Sequence, residues 1–214
     1  MDSTEGSLLP RVVLVDANVL FAPRLCDLFV HLHIDGVIRM HWSAAINDEW
    51  TRNAAAKTRG DPAGIQRRLQ GMIGAVPDWE VSHYDRFIDA FAGVDAGDRH
   101  VSAAALALQE REGHEVVLVT ENLKHFPLTE MSRRGVQPMS SSEYLHRLFA
   151  EDGVAVLRIA EACRTKLRAP PRTREDYVAV LMTLGCDLAY DLSKAWKVTC
   201  PVRLQDGALV YLED

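Results

Sequence analysis

Polar side chains directly follow two short apolar runs of the sequence. Residues 12–15 and 116–119 are each four consecutive apolar residues, most of them β-branched, and this pattern predicts strands buried on both faces of a parallel sheet. Asp16 follows the first run, and Thr120 and Asn122 follow the second. Ligands bind outside the carboxyl ends of the strands in such sheets. We therefore expect these polar side chains to share one crevice.

Two more carboxylates belong to the predicted helices. Glu49 lies on a helix expected to begin at Ser43, and Asp98 lies three residues after Asp95, a plausible helix cap. Two carboxylates about 4 Å apart repel each other by about 4 kcal/mol at an effective dielectric near 20. A protein tolerates such crowding by protonating one group or by binding a hard cation.

The chemistry of this set indicates a magnesium or manganese site. Oxygen ligands without thiolates or paired imidazoles favour Mg²⁺ or Mn²⁺ over Zn²⁺, and such a cation equips a protein for phosphodiester hydrolysis. Each residue also has an ordinary structural explanation. Asp16 and Asn122 suit turns, Glu49 suits a solvated helix face, and Asp95 and Asp98 can complement a helix dipole. Residue chemistry alone leaves both interpretations open.

A second constellation is basic and lies near Pro170 and Pro171. Five cations fall within eleven residues, and no acid lies among them: Arg164, Lys166, Arg168, Arg172 and Arg174. They form a candidate phosphate-binding, and hence RNA-binding, cluster. The alternative is a solvated helix end that carries cations near its C-terminus.

Strands alternating with helices predict an α/β domain with a parallel sheet. A further strand is expected near residues 136–139, and helices over 24–35, from 43, from 62, over 82–91, from 95 to 113 and from 140. The C-terminal third is expected to be helical, with caps at Thr173 and Asp176. We assign residues 11–150 to the α/β domain, 151–198 to a small all-helical C-terminal extension, and 199–214 to a tail.

Composition excludes several classes of protein. A hydrophobic fraction of 48% with 25% charged residues is not that of a disordered chain or a membrane protein. Four cysteines without a CxxC pair support neither a zinc knuckle nor a dithiol motif. Asp2 and Glu5 occupy positions where a signal peptide needs basic residues, so we expect a cytoplasmic protein. A net charge of −6 argues for modest non-specific affinity for nucleic acid.

Four segments, in order and at fitting spacing over residues 11–150, resemble the four motifs of PIN-domain ribonucleases. Each motif is weak alone, but the ordered set is specific. The group that the chain resembles most is the bacterial VapC-type toxins, including a branch with a helical C-terminal extension similar to residues 151–198. The four segments are VDANVL from Val15, WSAAINDEW from Trp42, DRHVSAAA from Asp98 and VTENLKHFP from Val119.

This resemblance implies a PIN-like parallel sheet flanked by helices and a Mg²⁺-dependent endoribonuclease, with Mn²⁺ as a substitute. It makes Asp16, Glu49 and Asp98 the metal-binding carboxylates. Asn122 falls where many members have a fourth acid, and Thr120 matches a polar residue close to the metal. The resemblance also implies an RNA substrate, a cognate antitoxin protein and a homodimer.

Smaller assignments and two rival functions complete the expectations. Asn18 is expected to steady the turn around Asp16, and His100 and His125 to have structural or substrate-side roles. One rival is a PIN-like module that binds RNA or a partner without cutting. It stays open because this chain has Asn122 where many members of the family have an acid. The other is a haloacid-dehalogenase-type phosphatase, which needs a second Asp two residues after the first, where this chain has Asn18.

Overall fold

A four-stranded parallel sheet flanked by helices forms the centre of the molecule. The structure, a computed structural model, describes residues 9–57, 61–167 and 172–199, together with the strands at 202–205 and 208–211. The expected α/β class is confirmed, including the strand expected near residue 136. The strands are β1 (Val12–Val15), β2 (Arg39–His41), β3 (Val116–Val119) and β4 (Val136–Met139).

The strand order β2-β1-β3-β4 determines where a site can form. The chain places β2 on one side of β1 and then crosses to place β3 on the other, so the order reverses between β1 and β3. All eight residues of these two strands are buried, as their apolar runs predict. Their register pairs Val15 with Val119, and the Asp16 N–H donates to the Val119 carbonyl at 3.0 Å. Asp16 and Thr120 therefore leave the sheet side by side at the switch point.

Helices cover the sheet, and most begin close to the predicted caps. The five-residue helix α1 was not predicted, and the stretch 82–91 is a 3₁₀ helix preceded by Tyr84 rather than a helix capped by Ser82. The helices are α1 (Ala17–Phe21), α2 (Pro23–Ile34), α3 (Ala44–Lys57), α4 (Pro62–Ala75), α5 (Arg99–Glu112), α6 (Leu128–Ser132), α7 (Ser141–Lys166), α8 (Arg174–Thr183) and α9 (Leu188–Trp196), with 3₁₀ helices at Asp85–Phe91 and Leu123–His125.

The C-terminal helices pack onto the α/β core. Helix α7 breaks at Asp152, whose φ of −142° and ψ of 59° are not helical, and it packs against α2 with the Phe29 and Tyr144 rings stacked 6.0 Å apart. Tyr177 of α8 and Leu192 of α9 are buried in the same hydrophobic cluster as the strands. The core is therefore continuous from the sheet into residues 153–196.

The segment assigned to a tail contains regular structure. Strands β5 (Val202–Gln205) and β6 (Ala208–Tyr211) pair in antiparallel register, so a β-hairpin follows the helices of the C-terminal third. Cys26, Cys163 and Cys186 are buried free thiols, whereas Cys200 lies outside the described residues. Within the part of the chain that the structure describes, no helix has the length and apolar character needed to cross a membrane.

Candidate functional site

Asp16 lies at the base of the crevice between β1 and β3. It is the N-cap of α1, and one carboxylate oxygen accepts a hydrogen bond from the Ala17 N–H at 2.6 Å. The other oxygen accepts from the Asn18 amide and from the Thr120 hydroxyl, both at 2.7 Å. The side chain is almost fully buried. Three fixed donors therefore hold this carboxylate in one orientation.

The surroundings of Asp16 oppose its ionisation. Burial raises the pKa of this carboxyl above its ordinary value, and the negative charge of Asp98 raises it further. The hydrogen bonds from Thr120 and Ala17, together with His100, act in the opposite direction. A buried carboxylate with such a balance is stabilised by a nearby positive charge.

Thr120 and Asn18 form a polar network around Asp16. Thr120 is fully buried, and besides donating to Asp16 its hydroxyl accepts hydrogen bonds from the Asn18 amide and the Asn122 N–H, each at 3.1 Å. The Asn18 side-chain oxygen accepts from the Glu121 N–H at 3.1 Å. Asn18 therefore fixes both sides of the crevice, as expected for a residue that steadies the turn after β1.

Glu49 approaches the crevice from α3, whose buried face carries Ile46 and Trp50. A carboxylate oxygen of Glu49 lies 3.6 Å from the His100 Nε2 atom. Burial raises the pKa of Glu49, and the charges of Asp16 and Asp98 raise it further, whereas His100 lowers it. Glu49 is thus within the electrostatic reach of both other predicted ligands.

Asp98 is the N-cap residue of α5. Its carboxylate lies 2.6 Å from the His125 Nδ1 atom, which is also 2.7 Å from the Asn122 side-chain nitrogen. A ring nitrogen carries at most one hydrogen, so Nδ1 either donates to the Asp98 carboxylate or accepts from the Asn122 amide, and it does not do both in one tautomer. His125 therefore joins two predicted site residues that are 24 positions apart in the sequence.

Asp95 occupies a different position from the helix cap that was expected. Its carboxylate accepts from the Gly97 N–H at 3.0 Å, and its carbonyl accepts from the Asp98 N–H at 2.9 Å. Helix α5 begins after Asp98, so Asp95 stabilises the turn that precedes the helix. The side chain is exposed.

The donor chemistry of the crevice fits a hard divalent cation. Asp16, Glu49 and Asp98 come from three separate segments; the charge of Asp98 raises the pKa of Asp16, and the charges of Asp16 and Asp98 raise the pKa of Glu49. The buried His100 Nε2 atom has no hydrogen-bond partner among the described residues. In those same residues no three acidic, histidine or cysteine side chains already converge as a metal-binding group. The three carboxylates are the residues that would hold such a cation.

Arg68 has a positioning role that the sequence did not predict. Its guanidinium donates to the carbonyls of Leu20 and Phe21 at the end of α1 and lies 5.0 Å from the centroid of the Trp50 ring. It thereby ties the helix after Asp16 to the helix that carries Glu49. Local sequence gave no sign of this role, because the partner carbonyls are nearly fifty positions away.

The basic cluster is paired internally. Glu161, one helical turn before Arg164, accepts hydrogen bonds from Arg164 at 2.8 and 3.0 Å and from Arg174 at 3.3 Å. These arginines, Arg164 first, lower the pKa of Glu161 to about 2. Arg174 also lies 5.5 Å from the centroid of the Trp196 ring.

The other predicted members of this cluster have different environments. Arg164 donates to the Arg172 carbonyl, and the Lys166 ammonium lies 2.6 Å from the His31 Nε2 atom. Arg168 lies outside the described residues. The arrangement joins the end of α7 to the start of α8.

Comparison of the chain with protein-family models, with curated proteins and with solved structures finds no match.

Proposed function

We propose that the protein is a PIN-like endoribonuclease that hydrolyses RNA phosphodiester bonds with Mg²⁺. One observation carries this proposal: three carboxylates from β1, α3 and α5 are electrostatically coupled at the switch point of a parallel sheet, and the pKa values of Asp16 and Glu49 are raised there. Perturbed carboxylates in a crevice mark functional sites. The order of the four sequence motifs points to the same chemistry.

The residues of the crevice have distinct roles in this proposal. Asp16, Glu49 and Asp98 hold the cation, and Thr120 and Asn18 orient Asp16 by their hydrogen bonds. A bound Mg²⁺ would supply neutralisation of the phosphate charge and activation of water. Asn122 contributes a neutral amide beside His125, and it lies where a fourth acid is expected from the motif pattern. His125 positions Asp98 through their short contact.

The biological setting is a second part of the proposal and rests on the motif resemblance alone. We infer that the enzyme is the toxin of a toxin–antitoxin pair, with a cognate antitoxin protein and a homodimeric state. The paired arginines around Glu161 favour a structural role for that cluster, so the RNA contacts are expected nearer the crevice.

A PIN-like module that binds RNA or a partner without cutting is the second candidate. One observation favours it: Asn122 stands where the motif pattern has an acid. Titration of Mg²⁺ or Mn²⁺ into the protein distinguishes the two functions, because an inactive module has no need for cation affinity.

The decisive experiment incubates the purified protein with total cellular RNA in Mg²⁺, in Mn²⁺ and in EDTA, followed by mapping of the cut ends. We expect cleavage with either metal and none in EDTA. Asp98→Asn should be inactive, whereas Asp95→Asn is the matched control because Asp95 is an exposed acid of the same segment whose carboxylate bonds the Gly97 N–H. Absence of cleavage with metal present, or equal activity of Asp98→Asn, contradicts the proposal.

A further inference from the structure

An open groove lies beside the crevice, between α6, β4 and the start of α7. Its volume is about 370 Å³, and Leu123, Leu128 and Met139 are among the residues that line it. Leu123 and Leu128 are 39% and 62% exposed. Large apolar side chains that meet at the surface around a concave site indicate a binding function.

The groove and the carboxylate crevice share a wall. The 3₁₀ helix Leu123–His125 has Leu123 in the groove, while His125 at its other end contacts Asp98. A 3₁₀ helix rises about 2 Å per residue, so the backbone positions of Leu123 and His125 are about 4 Å apart along the helix axis, and one short helix borders both the groove and the crevice. A ligand whose phosphate lies in the crevice can therefore extend directly into the groove.

The polar rim of the groove restricts what can occupy it. Glu143 and Arg147 line the groove and lie 3.9 Å apart, and the Arg147 guanidinium is 3.7 Å from the Met139 sulfur. The Glu143 carboxylate, beside the apolar side chains of the groove, repels a phosphate group. One acceptor and one donor group beside apolar side chains suit the edge and the face of an unstacked base.

The edge of the sheet argues against a peptide strand as the occupant. The carbonyls of Gly135, just before β4, and of Met139 accept hydrogen bonds from the side of β3. Backbone groups of successive strand residues point to opposite sides, so Pro138, next to Met139, faces away from β3. Proline has no N–H to donate to an added strand. The volume is also at the small end for a ligand site and suits a single base better than a helix.

We propose that this groove binds one unpaired nucleobase of the RNA, next to the phosphate held by the crevice. The inference rests on the proposed function and adds to it a subsite that selects the base beside the cleaved bond. Leu123 and Leu128 supply the apolar contact, and Glu143 and Arg147 supply the hydrogen-bonding groups that distinguish one base from another.

The test is a titration monitored by the methyl NMR signals of the leucines and methionines. The probes are the four ribonucleoside 5′-monophosphates, and ribose 5-phosphate serves as a ligand without a base. We expect the signals of Leu123, Leu128 and Met139 to shift in a saturable way with at least one nucleotide and to remain still with ribose 5-phosphate. Leu128→Asp and Leu128→Ala should weaken nucleotide binding about tenfold, through loss of apolar contact.

The matched control is Val154→Asp, because Val154 is an exposed apolar residue (83%) that does not line the groove. It should bind nucleotides like the wild type. The proposal is overturned if no nucleotide moves the groove signals, which is the result expected of a groove made for a protein segment. Equal shifts with ribose 5-phosphate, or equal weakening by Val154→Asp, also overturn it.

The titration requires no RNA cleavage, so the groove and the proposed function are judged separately. A wild-type protein that binds nucleotides in the groove and cuts no RNA supports the subsite and contradicts the nuclease. Where the wild type cuts, Leu128→Ala should change the base preferred beside the cut, whereas Val154→Asp should leave that preference unchanged. An unchanged preference in Leu128→Ala counts against the subsite.

Discussion

The crevice at the end of the sheet and the cluster around Glu161 both concentrate charged side chains, but the crevice gathers like charges and the cluster pairs opposite ones. In the crevice, burial and the charges of other carboxylates raise the pKa values of Asp16 and Glu49. In the cluster, two arginines share one carboxylate, and the pKa of Glu161 falls to about 2. Carboxylates with perturbed pKa values are enriched at functional sites, whereas the opposite charges of the cluster stabilise each other.

The largest expected effect comes from the crevice. Asp98→Asn should reduce RNA cleavage at least about 100-fold, because loss of even an indirect partner of a metal ligand has effects of 10- to 100-fold. Cleavage rates of the variant and of Asp95→Asn, measured in Mg²⁺ on the same RNA, check this. Activity of Asp98→Asn close to that of the control would contradict a catalytic role for the crevice.

The second effect is the pH dependence of stability at Asp16. The pKa of Asp16 is raised in the folded protein, so its protonated form stabilises the fold. This stabilisation is complete below pH 3.8, the ordinary pKa, and is lost as the pH rises through the pKa of the folded state. Each unit of difference is worth about 1.4 kcal/mol. Relative to the wild type, Asp16→Asn should therefore gain stability as the pH rises above 3.8.

Urea unfolding of both proteins without divalent cations measures this difference in the free energy of unfolding. The variant also alters the hydrogen bonds from Asn18 and Thr120, which adds an offset that does not depend on this titration. The pH trend, rather than the absolute difference, is the informative quantity. A difference that stays constant over the range would show that Asp16 ionises normally.

The third effect is also on stability, but here the substitution, which lies in the cluster around Glu161, lowers the free energy of unfolding. Glu161→Gln should destabilise the protein by about 1 kcal/mol at pH 7, after allowance for solvent screening of these partly exposed groups. The lowered pKa of Glu161 means that its stabilisation is present above pH 4.5 and is lost as the pH falls toward 2. Urea unfolding at pH 7 and pH 3 should show the difference shrinking.

Glu175→Gln is the control for this cluster. Glu175 is an exposed acid in the first turn of α8 and does not hydrogen-bond the two guanidinium groups as Glu161 does. Its replacement should change the free energy of unfolding by only a few tenths of a kcal/mol. Equal destabilisation by both variants would mean that the cluster stabilises through general charge rather than through the shared carboxylate.

The smallest expected effect is on RNA affinity. Arg174→Ala should weaken binding of single-stranded RNA less than about threefold, because its guanidinium is already shared between Glu161 and Trp196. Fluorescence anisotropy with a labelled oligoribonucleotide measures it. A tenfold loss would make the cluster part of the RNA-binding surface after all.

Much of the crevice could be predicted from local sequence. The polar residues after two apolar runs place Asp16 and Thr120 at one edge of the sheet, since parallel strands share the direction of their carboxyl ends. The contact between His125 and Asp98 could not be predicted in this way. It depends on a three-residue 3₁₀ helix that turns His125 toward a residue 27 positions earlier.

The features that were missed differ in how much signal the sequence carries. Strand β2 is three residues long and includes Arg39 and His41, so it shows no apolar run. In contrast, Glu161 lies three residues before Arg164, a spacing that pairs side chains on a helix. The hairpin of β5 and β6 flanks the sequence Asp206-Gly207, a dipeptide typical of tight hairpin turns. Both could have been predicted.

The central claim is that the crevice holds a divalent cation, and isothermal titration calorimetry with Mg²⁺ tests it most directly. The wild type and Glu161→Gln should bind the cation with the same affinity, and Asp16→Asn and Asp98→Asn should bind it at least about tenfold more weakly. Absence of Mg²⁺ binding by the wild type, or equal binding by all four proteins, would contradict the account.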